Sequence, residues 1–190
     1  MRLSLLCSFR YSLPNFSDKS SKRPRETYKW FLPFQTRWLD NDQYGHMNNA
    51  VYHGIFDSVI NIYLIRKCGL DINTDNSSTV GFMVTNRCEF FGPVKYPDIF
   101  LIGMTVPKIG RTSLSYQLGL FPMKELSQPL IANMTHGYYS EELKEELKNV
   151  FEDKASCVGE SVHVFVDPTQ GNKPKPIPIE WTDMIAKIKN

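Results

Sequence analysis

The sequence predicts an α+β domain in which an antiparallel sheet wraps around one long central helix. Two observations carry this. Residues 49–67 hold Val51, Tyr52, Ile55, Phe56, Val59, Ile60, Ile62, Tyr63 and Leu64. Tyr52, Phe56, Val59 and Tyr63 follow the i, i+4, i+7, i+11 spacing of one helical face, and Ile55 and Ile62 widen it beyond one stripe. A helix that apolar is expected to be buried on most sides. Around it lie short segments of strand character bounded by Gly and Pro turns.

The elements follow in order. Tyr28 to Arg37 is aromatic-rich and reads as a strand, with Pro33 placing it at an edge or a bulge. The helix runs from about Asn49 to Lys67 and stops at Gly69, with Arg66 and Lys67 in its last turn. Val80 to Phe91 is a second strand, wet on one face and broken by Gly92-Pro93. Ile99 to Val106 is apolar on both faces and therefore central. Lys108 to Arg111 reads as a hairpin connection into a fourth strand, where Leu114, Tyr116, Leu118 and Leu120 alternate with small or polar residues. Ile131 to Tyr139 reads as a further strand, and Ser140 to Phe151 as a charged, solvated helix. Ser161 to Val166 is a strand, and Pro174 to Pro178 an extended crossing. Trp181 to Ile188 is a short amphipathic helix with Trp181, Ile185 and Ile188 on one side.

The 190 residues fit one domain, assigned to 28–190, plus a tail of residues 1–27. The tail carries six basic residues against Asp18 and Glu26 and is rich in Ser. That is the composition of an organelle transit peptide, so a mitochondrial location is expected, with a basic tail on a cytoplasmic protein as the alternative. The net charge of +2 is too small to argue for nucleic acid, and no apolar run approaches the length of a membrane span. Cys7, Cys68, Cys88 and Cys157 are far apart in sequence, as are the four His residues. Neither set has metal-ligand spacing, so free thiols and no metal or cofactor are expected.

The stretch that carries chemistry lies just ahead of the helix: Trp38-x-Asp40-x-Asp42-x-x-Gly45-His46-x-Asn48-Asn49-x-x-Tyr52. A helix N-terminus offers unbonded N–H groups and the positive end of the dipole, which suits a polarised carbonyl. An ionised carboxylate beside it can attack that carbonyl or activate water. Bland readings stand beside these. Asp40 reads as a turn residue bonding nearby backbone N–H groups. Asn48 and Asn49 read equally well as helix caps, and His46 as a hydrogen-bonding residue. Gly45 would admit close approach of the backbone to a substrate. Tyr52 reads as core. Arg87, Lys95, Lys108 and Arg111 are candidate contacts for a phosphate, although exposed basic residues usually hold nothing specific.

This motif closely resembles acyl-CoA thioesterases of the hotdog fold, in the 4-hydroxybenzoyl-CoA thioesterase-like branch. Phe90-Phe91-Gly92-Pro93-Val94 with Asp98, then Ile109 to Ser113, then Val164 to Asp167 with Lys175 to Pro178 follow in the expected order. Two features depart from the pattern. Residues 122–157 are longer than the family's connection, and Ile60 stands where a basic residue is usual after the acidic Asp57. The resemblance implies an α+β hotdog fold and an acyl-CoA substrate. It implies Asp42 as nucleophile or general base, with the N–H of Asn49 polarising the thioester carbonyl and His46 a third catalytic candidate. From the residues themselves, Gly45, Tyr52 and Arg111 are the candidate substrate contacts. It also implies a homodimer or homotetramer, formed by pairing sheets edge to edge with the site at the subunit interface. Two rivals remain. One is a hydratase of the same fold, whose Asp-x4-His spacing neither Asp40 nor Asp42 makes with His46. The other is a non-catalytic acyl-thioester or protein-binding module.

Overall fold

The computed structural model describes residues 21–72, 79–124, 137–139, 141 and 149–190. Among the described residues, seven strands form one sheet: β1 (Trp30–Gln35), β2 (Val80–Phe90), β3 (Ile99–Ile109), β4 (Ser113–Pro122), β5 (Tyr138–Tyr139), β6 (Cys157–Asp167) and β7 (Lys173–Pro174). Their order is β2-β6-β4-β3-β1-β5, with β7 on the end of β6. Every strand pairing is antiparallel. The helix α1 (Asn49–Cys68) lies against one face. The short helix α2 (Thr182–Lys187) follows a 3₁₀ turn. This is the hotdog arrangement that the sequence predicts.

The sequence explains α1. The Asn48 side chain accepts the Ala50 N–H at 3.0 Å and caps the N-terminus. Gly69, at φ 75°, turns the chain out of the helix, and the Leu70 N–H returns to the Leu64 carbonyl. Tyr52, Phe56, Val59, Ile60, Tyr63, Leu64 and Cys68 are buried. Val51, Ile55 and Ile62 are only half-buried, and Gly54, Ser58 and Ile65 are exposed. The helix is therefore covered on one side, not on most sides. Its buried face meets Trp30, Leu32, Phe100, Ile102, Met104, Leu118, Leu120 and Phe165 in the main core, closed at one end by Trp181, Ile185 and Ile188 of the last helix. A second apolar cluster lies on the other face of the sheet: Tyr28, Phe31, Ile99, Leu101, Phe121, Phe151, Ala155 and Val158.

The strands depart from expectation in places that have physical causes. The sheet order makes β3 central, between β1 and β4. β3 runs on to Ile109 because a bulge between Thr105 and Lys108 absorbs Pro107 without breaking the pairing. β6 starts four residues earlier than its apolar alternation suggests, because Val158, Gly159 and Glu160 pair with both β2 and β4. Pro33 lies beyond Trp30 and Phe31, the two β1 residues that pair with β5. Only Tyr138–Tyr139 of the expected strand at 131–139 falls in a described strand; residues 131–136, most of the charged helix at 140–151, and residues 1–20 lie outside the described residues.

Residues 21–27, grouped by charge with the basic tail, pack against the domain. Arg23 and Ala155 exchange hydrogen bonds, Arg25 pairs with Asp153 at 2.7 Å, and Lys22 pairs with Glu160.

The Phe56 ring of α1 packs directly on Gly159 of β6. A Cβ there would stand 2.4 Å from the Phe56 ring. Gly159→Ala is expected to destabilise the fold by ~1–3 kcal/mol through overpacking, read as a lower urea midpoint. Phe56→Leu in the same chain is expected to return part of that loss.

Candidate active site

The motif folds as a small hairpin that feeds α1. The Asn48 N–H donates to the Asp40 carbonyl at 2.8 Å, the Asp42 N–H to the His46 carbonyl at 2.8 Å, and the Gly45 N–H to the Asp42 carbonyl at 3.2 Å. Asn41 and Met47 form a bridge between them. Gly45 has φ 76°, and nothing lies within 4 Å of where its Cβ would be. Its role in the described chain is the left-handed turn. The hairpin is fixed to the turn before β3: the Met47 N–H donates to the Val94 carbonyl, the Tyr96 N–H to Asn41 Oδ1, and Thr36 Oγ1 to the Lys95 and Asp98 carbonyls.

The two carboxylates have different jobs. Asp40 is buried. It accepts the Arg37 backbone N–H at 2.7 Å and the Arg37 Nη2 at 2.8 Å, so it closes a tight 3₁₀ turn (Trp38–Asp40). This is the turn-residue role. Asp42 is half-buried at the hairpin tip. Its Oδ1 accepts the Tyr44 N–H at 2.8 Å and the His46 N–H at 3.3 Å. Its Oδ2 accepts no hydrogen bond among the described residues. The carboxylate is thus oriented by one oxygen and open at the other.

Asn49 is the first residue of α1 and is exposed. Its N–H meets no acceptor among the described residues, whereas the next two N–H groups go to Asn48. An open carboxylate oxygen thus stands at the tip of the hairpin, and an open helix N–H follows its second arm. The His46 ring is exposed, and its backbone holds the hairpin. Tyr52 is buried, edge-to-face with Phe90 at 5.0 Å. Burial pushes its phenol up to about 12, so it stays neutral at ordinary pH.

The structure places Asp42, Gly45 and His46 in one hairpin that leads into Asn49, and sets Arg111 apart. β1 ends at Gln35 opposite Ile99, the first residue of β3, so the hairpin lies at that end of the sheet. Arg111 follows the last residue of β3, roughly 30 Å away along the strand. Of the other basic candidates, Lys108 shares that far end. Arg87 is held by Glu160 at 2.9 Å and Glu89 at 3.7 Å. Lys95 lies beside the hairpin.

A cavity of about 380 Å³ adjoins the motif, lined by Phe34, Gln35, Arg37, Asp40, Val51, Gly54, Ile55 and Ser58. At 100° per residue those α1 positions lie across the helix from Asn49, His53 and Asp57. The latter face meets β2 and β6. There Cys88 Sγ is 3.6 Å from His53 Nδ1, and the buried His163 has Nε2 3.9 Å from Asp57. Burial holds the His163 imidazole below its usual range, so it is neutral. Sequence reasoning missed these pairings. The only signal was that His53 and Asp57 follow Asn49 at steps of four. Among the described residues no group of three His, Cys, Asp or Glu could hold a metal ion, and no helix is long and apolar enough to cross a membrane.

Residues 44–124 match the thioesterase superfamily. Over most of its length the chain is similar to the PA5185 protein of Pseudomonas aeruginosa strain PAO1, at 33% identity over 88% of this chain and 97% of that one, with a TM-score of 0.68. The SAV2348 protein of Staphylococcus aureus, characterised in complex with CoA, shares the fold at TM-score 0.63 and 14% identity, over 86% of this chain and 87% of its own. The gentisyl-coenzyme A thioesterase BH1999 shares it at TM-score 0.58 and 13% identity, over 82% and 98%. Sheet order, the long helix packed on one face and the motif hairpin together define a hotdog-fold protein. The chain belongs to the thioesterase superfamily.

Asp40→Ala removes both the turn closure and the partner of Arg37. It is expected to lower stability by ~1–3 kcal/mol, measured by urea unfolding. Arg37→Ala is expected to cost less, because the Arg37 side chain is 73% exposed and Asp40 keeps its backbone bond.

Proposed function

We propose that the protein is an acyl-CoA thioesterase, hydrolysing R–CO–S–CoA to the free acid and CoA. The observation that carries this is an oriented Asp42 carboxylate with one open oxygen, on the hairpin that leads directly into the open Asn49 N–H at the helix end. The thioester carbonyl sits against that N–H, where the helix end stabilises the oxyanion by a few kcal/mol. Asp42 Oδ2 acts as nucleophile or as the base that activates water. As a base, Asp42 takes a proton from the attacking water and passes it to the leaving CoA thiolate. As a nucleophile, it forms an anhydride with the acyl group as the C–S bond breaks, and water then cleaves that anhydride and supplies the proton to the thiolate. The CoA complex of the Staphylococcus aureus protein and the activity named for BH1999 support CoA as the carrier.

The second part of the reading is assembly. Among the described strands β2 is one edge of the sheet, and Phe82 and Val84 on it are 45% and 58% exposed. A long apolar edge favours pairing with another chain. Two copies joined through β2 would close the site, which is open to solvent at Asn49 in one chain.

The test is a free-thiol release assay on acyl-CoAs from acetyl to palmitoyl, with benzoyl-CoA, using the chain from residue 21 onward so that the Arg23 and Arg25 contacts remain. Turnover of at least one substrate by a dimeric or tetrameric species is expected. Tight CoA binding without turnover of any substrate would favour the binding-module reading instead.

A further inference from the structure

Against the first two turns of α1 lies a side-chain cluster that the chemistry above does not use. Cys88 and Phe90 of β2 both face the helix: Phe90 meets Tyr52, and Cys88 Sγ is 3.6 Å from His53 Nδ1. In the β2–β6 pairing Cys88 is opposite Gly159 and Phe90 is opposite Cys157. The two cysteines are therefore diagonal neighbours on one sheet face. Cys157 is fully buried, Cys88 only partly. His53 follows Asn49 by one turn on the same helix face. Side chains on a helix lean toward its N-terminus, so His53 lies over the turn that begins with Asn49.

The pair divides its protons unequally. A hydrogen bond with Cys157 draws the Cys88 thiol below its ordinary range. That same bond, then burial, pushes Cys157 well above it. Cys157 therefore stays protonated and donates, and Cys88 is the thiol that ionises. The titratable groups facing Cys88 are His53 and Tyr52 from α1 and Cys157 from β6, with Glu89 acting on Cys157. Tyr52 is neutral, which leaves His53 to receive the Cys88 proton.

We propose that Cys88, with His53 as its base, is a nucleophilic thiol that accepts acyl groups from acyl thioesters held at the α1 N-terminus. The substrate class rests on the thioesterase reading. The Cys88 thiolate attacks the thioester carbonyl, and a carbon–sulfur bond to Cys88 forms. The bond from that carbon to the CoA sulfur breaks, and the electron pair leaves with the sulfur. The CoA thiolate then takes the proton that His53 received from Cys88. One thioester replaces another, so the exchange needs no oxidant and no cofactor.

The experiment disables hydrolysis with Asp42→Asn and incubates that chain with acetyl-CoA or benzoyl-CoA. Intact mass and peptide mapping are read. One acyl group on the Cys88 peptide is expected, removable by neutral hydroxylamine and absent in Cys88→Ser. Its formation is expected to slow by at least about tenfold in His53→Gln. Iodoacetamide alkylation across pH gives an independent readout. The Cys88 midpoint is expected below the ordinary thiol range and is expected to rise in Cys157→Ala. Thiol release by the wild type with no acyl group on Cys88, or with the acyl group on another cysteine, overturns the inference and leaves the thioesterase reading standing. Absence of both overturns both.

Discussion

Phe56 rests on Gly159, and the placement of α1 in the sheet follows from that contact. The ring occupies the space that any larger residue at 159 would fill. Phe56, Val59, Ile60 and Tyr63 are then buried in the main core, each fully buried apolar side chain contributing ~1.5–3 kcal/mol. Asn49 lies two turns before Phe56, about 10 Å along the helix. The depth of one ring therefore sets where the helix N-terminus emerges.

The hairpin before α1 depends on that position and is also anchored independently. Buried Asp40 ties Arg37 to the turn, and its carbonyl ties the turn to Asn48. Met47 and Asn41 tie it to residues 94–96. Asp42 and Asn49 are thus flanked by hydrogen-bonded anchors on both sides, as the chemistry proposed for them requires. Asp40 and Asp42 differ only by two residues, yet one carboxylate is consumed by structure and the other is left with an open oxygen.

How much of this was legible in the sequence depends on range. Local signals read correctly: the 3.6-residue spacing, the Asn48 cap and the Gly69 stop place α1 to within a residue of its C-terminus. The motif marked the site loop. Long-range pairings were not legible. The early part of β6 carries Gly159 and Glu160, which look like loop until Phe56 and Arg87 are placed beside them. Arg23 and Arg25 look like an unstructured basic tail until their partners near residues 153–155 are known. Arg111 joins the site in the sequence only because nothing there shows that β3 carries it to the far end of the sheet. Cys88, Cys157 and His53 come from three elements, and only strand register brings them into contact.

The central claim is that Asp42 acts through its charge, not through the hairpin it holds. Asn at this position keeps an oxygen to accept the Tyr44 and His46 N–H groups while removing the carboxylate. The direct measurement is kcat of Asp42→Asn against wild type on the best acyl-CoA, with the melting temperature of both. A fall of ~100-fold or more with an unchanged melting temperature is the predicted result. An unchanged kcat would contradict the account and place the chemistry elsewhere.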